Sequence, residues 1–367
     1  MRIVVHTDLR YTTRPHPTGV DKHIEQMVGG LARTPGMELS LLAASNQENR
    51  NPVVSTLPIR RLPFSWRTAT ALWTVFGRPV ADRWLGPADW VYCPRNDWIP
   101  VRCPRYAVTI HGAPELDPEL PPLPGVTGRL WALRNRVQYR RMCCRADVVL
   151  TVSEFLKRRI VEQFGVAPER VAVVGNGVET AYFEAGQEPC RPATEAPYLL
   201  AVGGLNFLDG GDRVIALARE LRQRRSDLRI RVAGCQHAPG QVSAARMTGA
   251  IDFLGYLPAG PLARQMRGAE ALYFPTRYET FGLAAAEAMA VGTPVVTCRS
   301  TAMPEIVGEA GLYVPPDDAG ATADAVAELR SDSELRARLV ARGRLRAATY
   351  TWTACVRRLH GELTRRM

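Results

Sequence analysis

Short apolar runs and amphipathic segments alternate along the first half of the chain. The runs are RIVVHT, MELSLLAA, DWVYC, YAVTIHG, ADVVLTVS and RVAVVGNGV, and helical patterns follow the first, fourth and fifth of them. Continuous apolar runs separated by helices are typical of parallel strands that are covered on both faces. The pattern predicts a doubly wound α/β domain with helices over Asp21 to Arg33, Gly128 to Arg145 and the stretch SEFLKRRIVEQFG.

The same alternation begins again near residue 198. Its apolar runs are YLLAVGG, LRIRVAG, AIDFLG, ALYFP, TPVVTC and AGLYVPP, with helical patterns up to about Arg225, after Gly282 and at the end. The intervening segment from Gly175 to Pro197 is polar, rich in Gly and Pro and without a helical or strand pattern, as linkers are. A chain of this length also fits two domains of roughly 150 to 200 residues better than one core. The sequence thus predicts two doubly wound domains either side of a linker.

The composition is that of a soluble globular protein, with 46% apolar and 23% charged residues. The net charge of +11 comes almost entirely from arginine, which suits an anionic partner, although a solvated basic surface is the simpler interpretation. The eight cysteines include no Cys-x-x-Cys pair, which argues for reduced thiols in the cytosol rather than zinc ligands or disulfides. The first apolar run is shorter than that of a signal peptide, and no run approaches the roughly 18 residues that span a bilayer. We therefore expect a cytoplasmic protein.

Polar residues with chemical capability stand at the ends of three predicted strands. His111 closes YAVTIHG, Asn176 and Gly177 close RVAVVGNG, and an acidic stretch follows ALYFP. Ligands of open α/β sheets bind beyond the carboxyl ends of the strands. With two such domains, the cleft between them is the expected active site.

The acidic stretch, PTRYETFGLAAAEAMAVGTPVVTC, places Glu279 and Glu287 eight positions apart. A hydrolase would use two carboxylates as acid and base across one bond, whereas a clamp would use them to hold a substrate. A helix that begins near Leu283 offers free N–H groups to an anion, and Gly282 lets a phosphate approach. Glu287 would then accept hydrogen bonds from a ribose diol, and Glu279 from hydroxyls of a group attached to the phosphate. The layout favours a clamp for a nucleoside diphosphate-sugar.

These residues resemble a known family. The pair Glu279-x7-Glu287, with Phe281-Gly282 between and GTPVV after, is similar to the signature of retaining glycosyltransferase family 4, which has the GT-B fold. The resemblance extends through MPEIVGEAGLYVPPDD, IDFLGYLP, VVGNGVE, DVVLTVSEFLKRRI and VTIHG. It implies two Rossmann-like domains facing across a cleft: residues 1–177 with 351–367 on the acceptor side, and residues 178–350 binding the donor. The last helix, with Trp352, Val356, Leu359 and Leu363 at helical spacing, would return to the first domain.

The resemblance also implies residue roles. His111 and Glu279 would act on the donor sugar as catalytic residues, and the base would lie near Tyr256 and Gly234-Cys235. The other implied donor-binding residues are Gly19, Thr280, Phe281, Gly282, Leu283 and Glu287. No metal and no cofactor beyond the nucleotide-sugar donor is expected.

One departure from the family pattern concerns the diphosphate. Family members usually place an Arg and then a Lys in the loop that here reads VGGLNFLDGGDRV, where this chain has Gly204 and Asp209. Preorganised charge where charge develops is usually the largest catalytic contribution, so their loss should weaken leaving-group stabilisation. Arg213, predicted on the same helical face as Asp209, is the expected substitute and joins the donor-binding set. A divalent metal held by Asp209, or a donor with a different anchor, stays open.

The implied activity is a hexosyl transfer to an acceptor hydroxyl, with retention of configuration by front-face displacement. The acceptor, a glycan, a lipid-linked molecule or a small molecule, would dock on the first domain near Pro63 to Leu85 or Arg129 to Arg145, where a core helix with snorkelling arginines is the structural alternative. Peripheral contact with the inner membrane face stays open.

Several alternatives remain. A catalytically weak or inactive glycan-binding relative and a sugar-nucleotide epimerase of the same fold are both compatible with the sequence. An oxidoreductase is disfavoured because Gly-x-Gly-x-x-Gly is missing after the first strands, and a nucleic-acid binder because the arginines form no recognisable module.

Overall fold

A computed structural model describes residues 1–9, 16–48, 54–188, 196–235 and 237–367 of the chain. The chain divides into two compact units, Met1–Asn176 with Trp352–Met367, and Gly177–Thr351. These bounds differ by one residue from the predicted ones at each junction. Each unit contains its own parallel sheet with helices, so the predicted α/β class is confirmed.

The sheet of the first unit has the order β3-β2-β1-β4-β5-β6-β7, with every neighbouring pair parallel. Its strands are β1 (Arg2–His6), β2 (Glu38–Ala43), β3 (Ile59–Arg61), β4 (Trp90–Cys93), β5 (Arg105–Ile110), β6 (Val148–Thr151) and β7 (Val171–Val173). The central strands β4 and β6 are buried along their whole length, as expected when helices cover both faces. The sequence pattern missed β3, because its three residues are exposed at the sheet edge and two of them are arginines.

Among the described residues of this unit, the α-helices before the linker are α1 (Gly19–Ala32), α2 (Trp66–Phe76), α3 (Asp82–Leu85), α4 (Gly125–Arg145) and α5 (Glu154–Phe164). Their ends follow ordinary capping chemistry. Thr18 and Asp21 form a capping box at the start of α1, and Ser153 caps α5. Gly77 and Gly165 end α2 and α5 in the left-handed conformation that glycine tolerates best.

The sheet of the second unit has the order β10-β9-β8-β11-β12-β13 and is also parallel. Its strands are β8 (Tyr198–Val202), β9 (Arg229–Ala233), β10 (Ile251–Gly255), β11 (Ala271–Phe274), β12 (Val295–Thr297) and β13 (Gly311–Tyr313). Its helices are α6 (Thr180–Gln187), α7 (Gly211–Gln223), α8 (Gln241–Met247), α9 (Ala259–Gly268), α10 (Leu283–Val291), α11 (Met303–Ile306), α12 (Ala319–Ser331) and α13 (Ser333–Ala347). The strand order places the loop after β8 beside the loop after β11.

Helix α6 corrects the prediction of a patternless linker. It lies within the segment assigned to the linker and packs against α9 and α10, with Tyr182 fully buried. Gly186 permits this approach, because an added Cβ would lie 2.6 Å from the carbonyl oxygen of Ala290. Tertiary packing therefore stabilises a helix that the local sequence pattern does not predict. Residues 189–195 of the predicted linker, with Cys190, lie outside the described residues.

The last helix, α14 (Trp352–Arg365), belongs to the first unit. Trp352, Cys355, Leu359 and Leu363 are buried in the same core as the apolar face of α1. Gly30 of α1 lets the two helices approach, since a Cβ there would meet the side chain of Val356 at 2.3 Å. Within the part of the chain that the structure describes, no helix is both long and apolar enough to cross a membrane.

Candidate active site

The loop between β11 and α10 carries Glu279. Helix α10 begins at Leu283, as predicted, and its N-cap Gly282 has a φ of 90°. Oε1 of Glu279 accepts the N–H of Thr280 at 2.9 Å and that of Phe281 at 3.3 Å, and Thr301 accepts the N–H of Glu279 at 3.0 Å. The carboxylate is thereby held close to the start of the helix.

This geometry corrects part of the predicted anion cradle. The prediction was that the N–H of Phe281 binds a phosphate of the donor. In the structure this N–H donates to the Glu279 carboxylate, in the loop that precedes α10. The N–H groups of Leu283 and Ala284 belong to the first turn of α10, where no intrahelical acceptor exists. An anion at this helix end would therefore be bound mainly by those two groups.

The carboxylate of Asp209 interacts electrostatically with the carboxylate of Glu279. Burial raises the pKa of Glu279, the Asp209 carboxylate raises it further, and the N–H groups of Phe281 and Thr280 partly offset both effects. Asp209 accepts a hydrogen bond from Asn206 Nδ2 at 2.6 Å, and burial raises its pKa too. The loop that usually carries two cations thus holds an acid whose ionisation is disfavoured.

Asp209 is not helical, which corrects the expectation that it shares a helix face with Arg213. Helix α7 begins at Gly211, and the preceding Gly210 has a φ of 75°. An added Cβ on Gly210 would lie 2.2 Å from the carbonyl oxygen of Pro275, so only glycine permits this contact between the two loops. The described residues contain no group of three or more His, Cys, Asp or Glu arranged to hold a metal ion.

Arg213, which was predicted to bind the diphosphate, is engaged by protein groups. Its Nε and Nη2 donate to the two oxygens of Asp317 at 2.7 and 3.2 Å, and its Nη1 donates to the Pro275 carbonyl at 3.0 Å. Arg277 pairs with Asp212 and Asp317 beside it. The two arginines and two aspartates form a neutral network that joins α7, the loop after β11 and the segment after β13.

Arg213→Ala is therefore expected to lower the stability of the second unit rather than donor affinity. The side chain is only 9% exposed and its loss leaves the Pro275 carbonyl without this donor, so we expect a loss of about 1 to 2 kcal/mol in the free energy of unfolding. Urea denaturation measures it, with exposed Arg264→Ala on α9 as the matched control. A tenfold fall in nucleoside diphosphate affinity without loss of stability would instead support a direct role of Arg213 in binding the diphosphate.

Glu287 lies on α10 and is 4% exposed, surrounded by alanine and methionine of the same helix. Tyr182 of α6 faces it: burial raises the pKa of the Tyr182 hydroxyl, and the carboxylates of Glu287 and Glu179 raise it further. Tyr256, the first residue after β10, contributes to the same environment. The predicted ribose and base residues are thus brought to one place. Tyr182 is the residue that sequence reasoning missed, because its stretch carried no pattern.

The loops after β8 and β9 are in unusually close contact. Gly234 has a φ of 133°, and an added Cβ would lie 1.6 Å from the Gly203 carbonyl oxygen, so no side chain fits there. The N–H of Leu205 donates to Nδ1 of His237 at 3.1 Å. Gly234 and Cys235, predicted near the base, therefore line a tightly fixed backbone corner.

His111 directly follows β5 in the first unit. Its Nε2 donates to the Pro94 carbonyl at 2.8 Å, and its backbone N–H donates to Asn96 Oδ1 at 3.0 Å. Burial lowers the pKa of His111 to about 4, so the ring is neutral near pH 7. The neutral tautomer leaves Nδ1 as a hydrogen-bond acceptor.

His23 of α1 lies edge-on to His111, with ring centroids 4.6 Å apart. Its Nδ1 donates to Asn176 Oδ1 at 2.7 Å, and burial lowers the pKa of His23 well below its usual value. Gly19 is the first residue of α1, four positions before His23 and so on the same side of the helix. That spacing was a signal for His23 that the sequence interpretation did not use.

Comparisons with known proteins agree with this architecture. Residues 17–182 match the family model described as Glycosyltransferase Family 4, and residues 196–332 match Glycosyl transferases group 1. The O-antigen chain mannosyltransferase B of Escherichia coli is 26% identical over 290 residues, which are 73% of this chain and 72% of the relative. A D-inositol 3-phosphate glycosyltransferase of Acidothermus cellulolyticus is 31% identical over 60% of this chain and 55% of its own length. A glycogen synthase of Mycobacterium tuberculosis is 32% identical, and the match spans about half of each chain, 56% and 51%.

Solved structures show the same fold. Sucrose-phosphate synthase from Thermosynechococcus elongatus has a TM-score of 0.70 at 18% identity, covering 100% of this chain and 98% of that one. HepE from Anabaena, in complex with UDP and glucose, has a TM-score of 0.69 at 14% identity, covering 99% of both chains. The two sheets and these neighbours define two Rossmann-like units of the GT-B fold. The family models and the relatives show that the chain is a family 4-like glycosyltransferase, which confirms the resemblance at the level of the family.

Proposed function

We propose that this enzyme transfers a hexose from a nucleoside diphosphate-sugar to an acceptor hydroxyl with retention of configuration. The observation that carries the proposal is the burial of Glu287 on an otherwise apolar helix, beside Tyr182 and near Tyr256. A buried carboxylate requires hydrogen-bonding partners and can accept several hydrogen bonds. The Tyr182 hydroxyl is one partner of Glu287, and a ribose diol can supply two further donors. A UDP complex of a protein with this fold supports the same class of donor.

In the proposed donor site, each part of the nucleotide sugar has a protein counterpart. Glu287 accepts from the ribose, Tyr256 stacks near the base, and the N–H groups of Leu283 and Ala284 bind the diphosphate. Gly282 keeps the helix end accessible, and Glu279 accepts from hydroxyls of the sugar. The family resemblance also assigns His111 and Gly19 of the first unit to donor binding.

The proposed chemistry is a front-face displacement. The acceptor oxygen attacks the anomeric carbon from the side on which the diphosphate leaves, and the departing phosphate oxygen takes the acceptor proton. The bond from carbon to the phosphate oxygen breaks as the new glycosidic bond forms. Protein groups contribute by orientation and by stabilising charge on the leaving diphosphate.

Asp209 bears on that last contribution. An ionised carboxylate beside a diphosphate would repel it. Because burial already raises the pKa of Asp209, we propose that donor binding is accompanied by protonation of this residue. The helix end of α10 is then the principal charge-stabilising element in this unit.

The same residue favours one alternative function. This chain has Asp209 where the family usually has a cation that stabilises the leaving group. The alternative is therefore a glycan-binding protein of the same family with little or no transfer activity. Slow hydrolysis of the donor by purified protein, measured as free nucleoside diphosphate, separates the two. A catalytically competent site releases it in a Glu279-dependent manner, whereas an inactive relative binds without release.

The donor-site proposal is tested by calorimetry with a panel of nucleoside diphosphates. Glu287→Ala should weaken binding of the best nucleotide by about 1.5 to 3 kcal/mol, the range for hydrogen bonds to a charged group. Tyr182→Phe removes the hydroxyl beside the carboxylate and should give a smaller loss. Exposed Glu334→Ala on α13 is the matched control. Unchanged affinity in Glu287→Ala would remove this residue from the donor site.

A further inference from the structure

Helix α4 exposes an apolar stripe on the side facing away from its own core. Val126, Leu130, Leu133 and Val137 recur at intervals of four, three and four residues, which places them on one helix face. They are 73%, 60%, 59% and 57% exposed. The buried residues of the helix, Tyr139, Met142 and Cys143, lie at other positions around it. The expectation of a core helix is therefore wrong for its first three turns.

Arginines border this stripe on both sides. Arg129, Arg136 and Arg140 follow one flank, and Arg134, Arg141 and Arg145 follow the other, each set at intervals of seven and four residues. The helix contains no aspartate or glutamate. An apolar stripe between two cationic rows is the pattern of a helix that lies in the interface of an anionic membrane.

The end of α2 lies beside the C-terminal part of α4. Nη1 of Arg141 donates to the Thr74 carbonyl at 2.7 Å, which joins the last turns of α2 and α4. The next two residues, Val75 and Phe76, are 65% and 71% exposed. Apolar residues of two elements, rather than isolated side chains, therefore adjoin the cationic rows.

We propose that α4, together with Val75 and Phe76, docks the enzyme on the surface of a bilayer that contains anionic lipid. The apolar stripe enters the interfacial region, and the arginines of the two rows other than Arg141, which donates to α2, contact lipid phosphates. A second copy of the chain is disfavoured as the occupant, because a symmetric dimer through this face would set arginine rows against each other. The proposal concerns the first unit only and does not depend on the donor site.

Flotation with lipid vesicles tests the proposal on the full chain. Wild type should float with vesicles of equal parts phosphatidylglycerol and phosphatidylcholine and remain unbound with phosphatidylcholine alone. The double variant Leu130→Glu, Leu133→Glu should reduce the bound fraction about tenfold, since both side chains are exposed and serve no core. Arg129→Gln, Arg136→Gln, Arg140→Gln should reduce binding and weaken its dependence on salt.

Leu345→Glu is the matched control, because Leu345 is 76% exposed on α13 of the other unit and should not affect flotation. Nucleoside diphosphate affinity should be the same in all variants, which separates a folding defect and any failure of the donor site from loss of docking. Three results would overturn the proposal: wild type that does not float, a double variant that floats as well as wild type, or a dimer in light scattering that the double variant abolishes while vesicle binding is absent.

Discussion

Replacing Glu279 by alanine is expected to lower turnover of the sugar nucleotide by about 100 to 1,000-fold, the range for loss of one preorganised transition-state contact. Affinity for the free nucleoside diphosphate should change by less than about threefold, because the nucleotide is assigned to Glu287 and the start of α10. Calorimetry measures the affinity, and product formation or donor hydrolysis measures turnover.

The variant Glu279→Gln distinguishes the charge of the carboxylate from its role in shaping the loop. Its amide oxygen can still accept from the N–H groups of Thr280 and Phe281, so the loop keeps its shape while the charge is lost. Similar losses in Gln and Ala variants would assign the role to the charged carboxylate. Full activity in Glu279→Gln would show that Glu279 only shapes the loop, and equal losses of nucleotide and sugar-nucleotide binding would contradict its assignment to the sugar.

Acidification from about pH 7 to pH 4 is expected to unfold the first unit. Burial lowers the pKa of His6 and of His111 to about 4 and lowers the pKa of His23 well below its usual value. The unfolded chain takes up protons below about pH 6.5, but the folded chain does not until the lower pKa is reached. Stability is therefore complete above that pH and falls as the pH decreases towards 4.

The size of this effect approaches the stability of a domain. A histidine whose pKa falls from 6.5 to about 4 on folding removes roughly 3 kcal/mol of stability at pH 4. Asp97 acts in the opposite direction, because burial raises its pKa to about 6 and its protonation returns about 2 kcal/mol. His6 and His111 against Asp97 leave a net loss of roughly 4 kcal/mol, and His23 acts in the same direction as the other two histidines, compared with about 5 to 15 kcal/mol for a typical domain.

Tryptophan fluorescence follows this transition selectively, because all seven tryptophans lie in the first unit. His6→Asn should move the midpoint to lower pH, since asparagine can still donate to the Leu42 carbonyl, which His6 Nδ1 contacts at 2.9 Å, but does not titrate. His16→Asn, at an exposed position, should leave the midpoint unchanged. Native emission retained at pH about 3.5 would contradict the prediction.

Much of the fold could be predicted from the sequence, because parallel strands bury both faces and are therefore recognisable as continuous apolar runs. Among the described residues, the strands other than the exposed β3 were predicted, as was the start of α10 at Leu283. Helix α6 was not, because its helical state depends on the contact of Gly186 with the carbonyl end of α10. Prediction from the sequence pattern detects local periodicity but not contacts between residues that are distant in the sequence.

The site was predictable in residue type but less so in hydrogen bonding. The sequence placed Glu279, Glu287 and Tyr256 at their strand and helix ends, but it assigned Arg213 to the diphosphate without its protein partners. Its pairing with Asp317 joins residues more than 100 positions apart, and no local pattern encodes such a contact. The same holds for Tyr182, which reaches Glu287 from a segment that looked unstructured.

The returning helix α14 has a consequence for synthesis on the ribosome. A nascent chain contains all of Gly177–Thr351 before it contains Trp352, Cys355, Leu359 and Leu363, which complete the core around α1. The unit that is translated first is thus the one whose core is completed last, opposite to the usual order of domain folding during translation. Until the final residues emerge, the apolar face of α1 that these side chains cover has no partner from α14, and it is exposed to chaperones for the whole time that the second unit is being made.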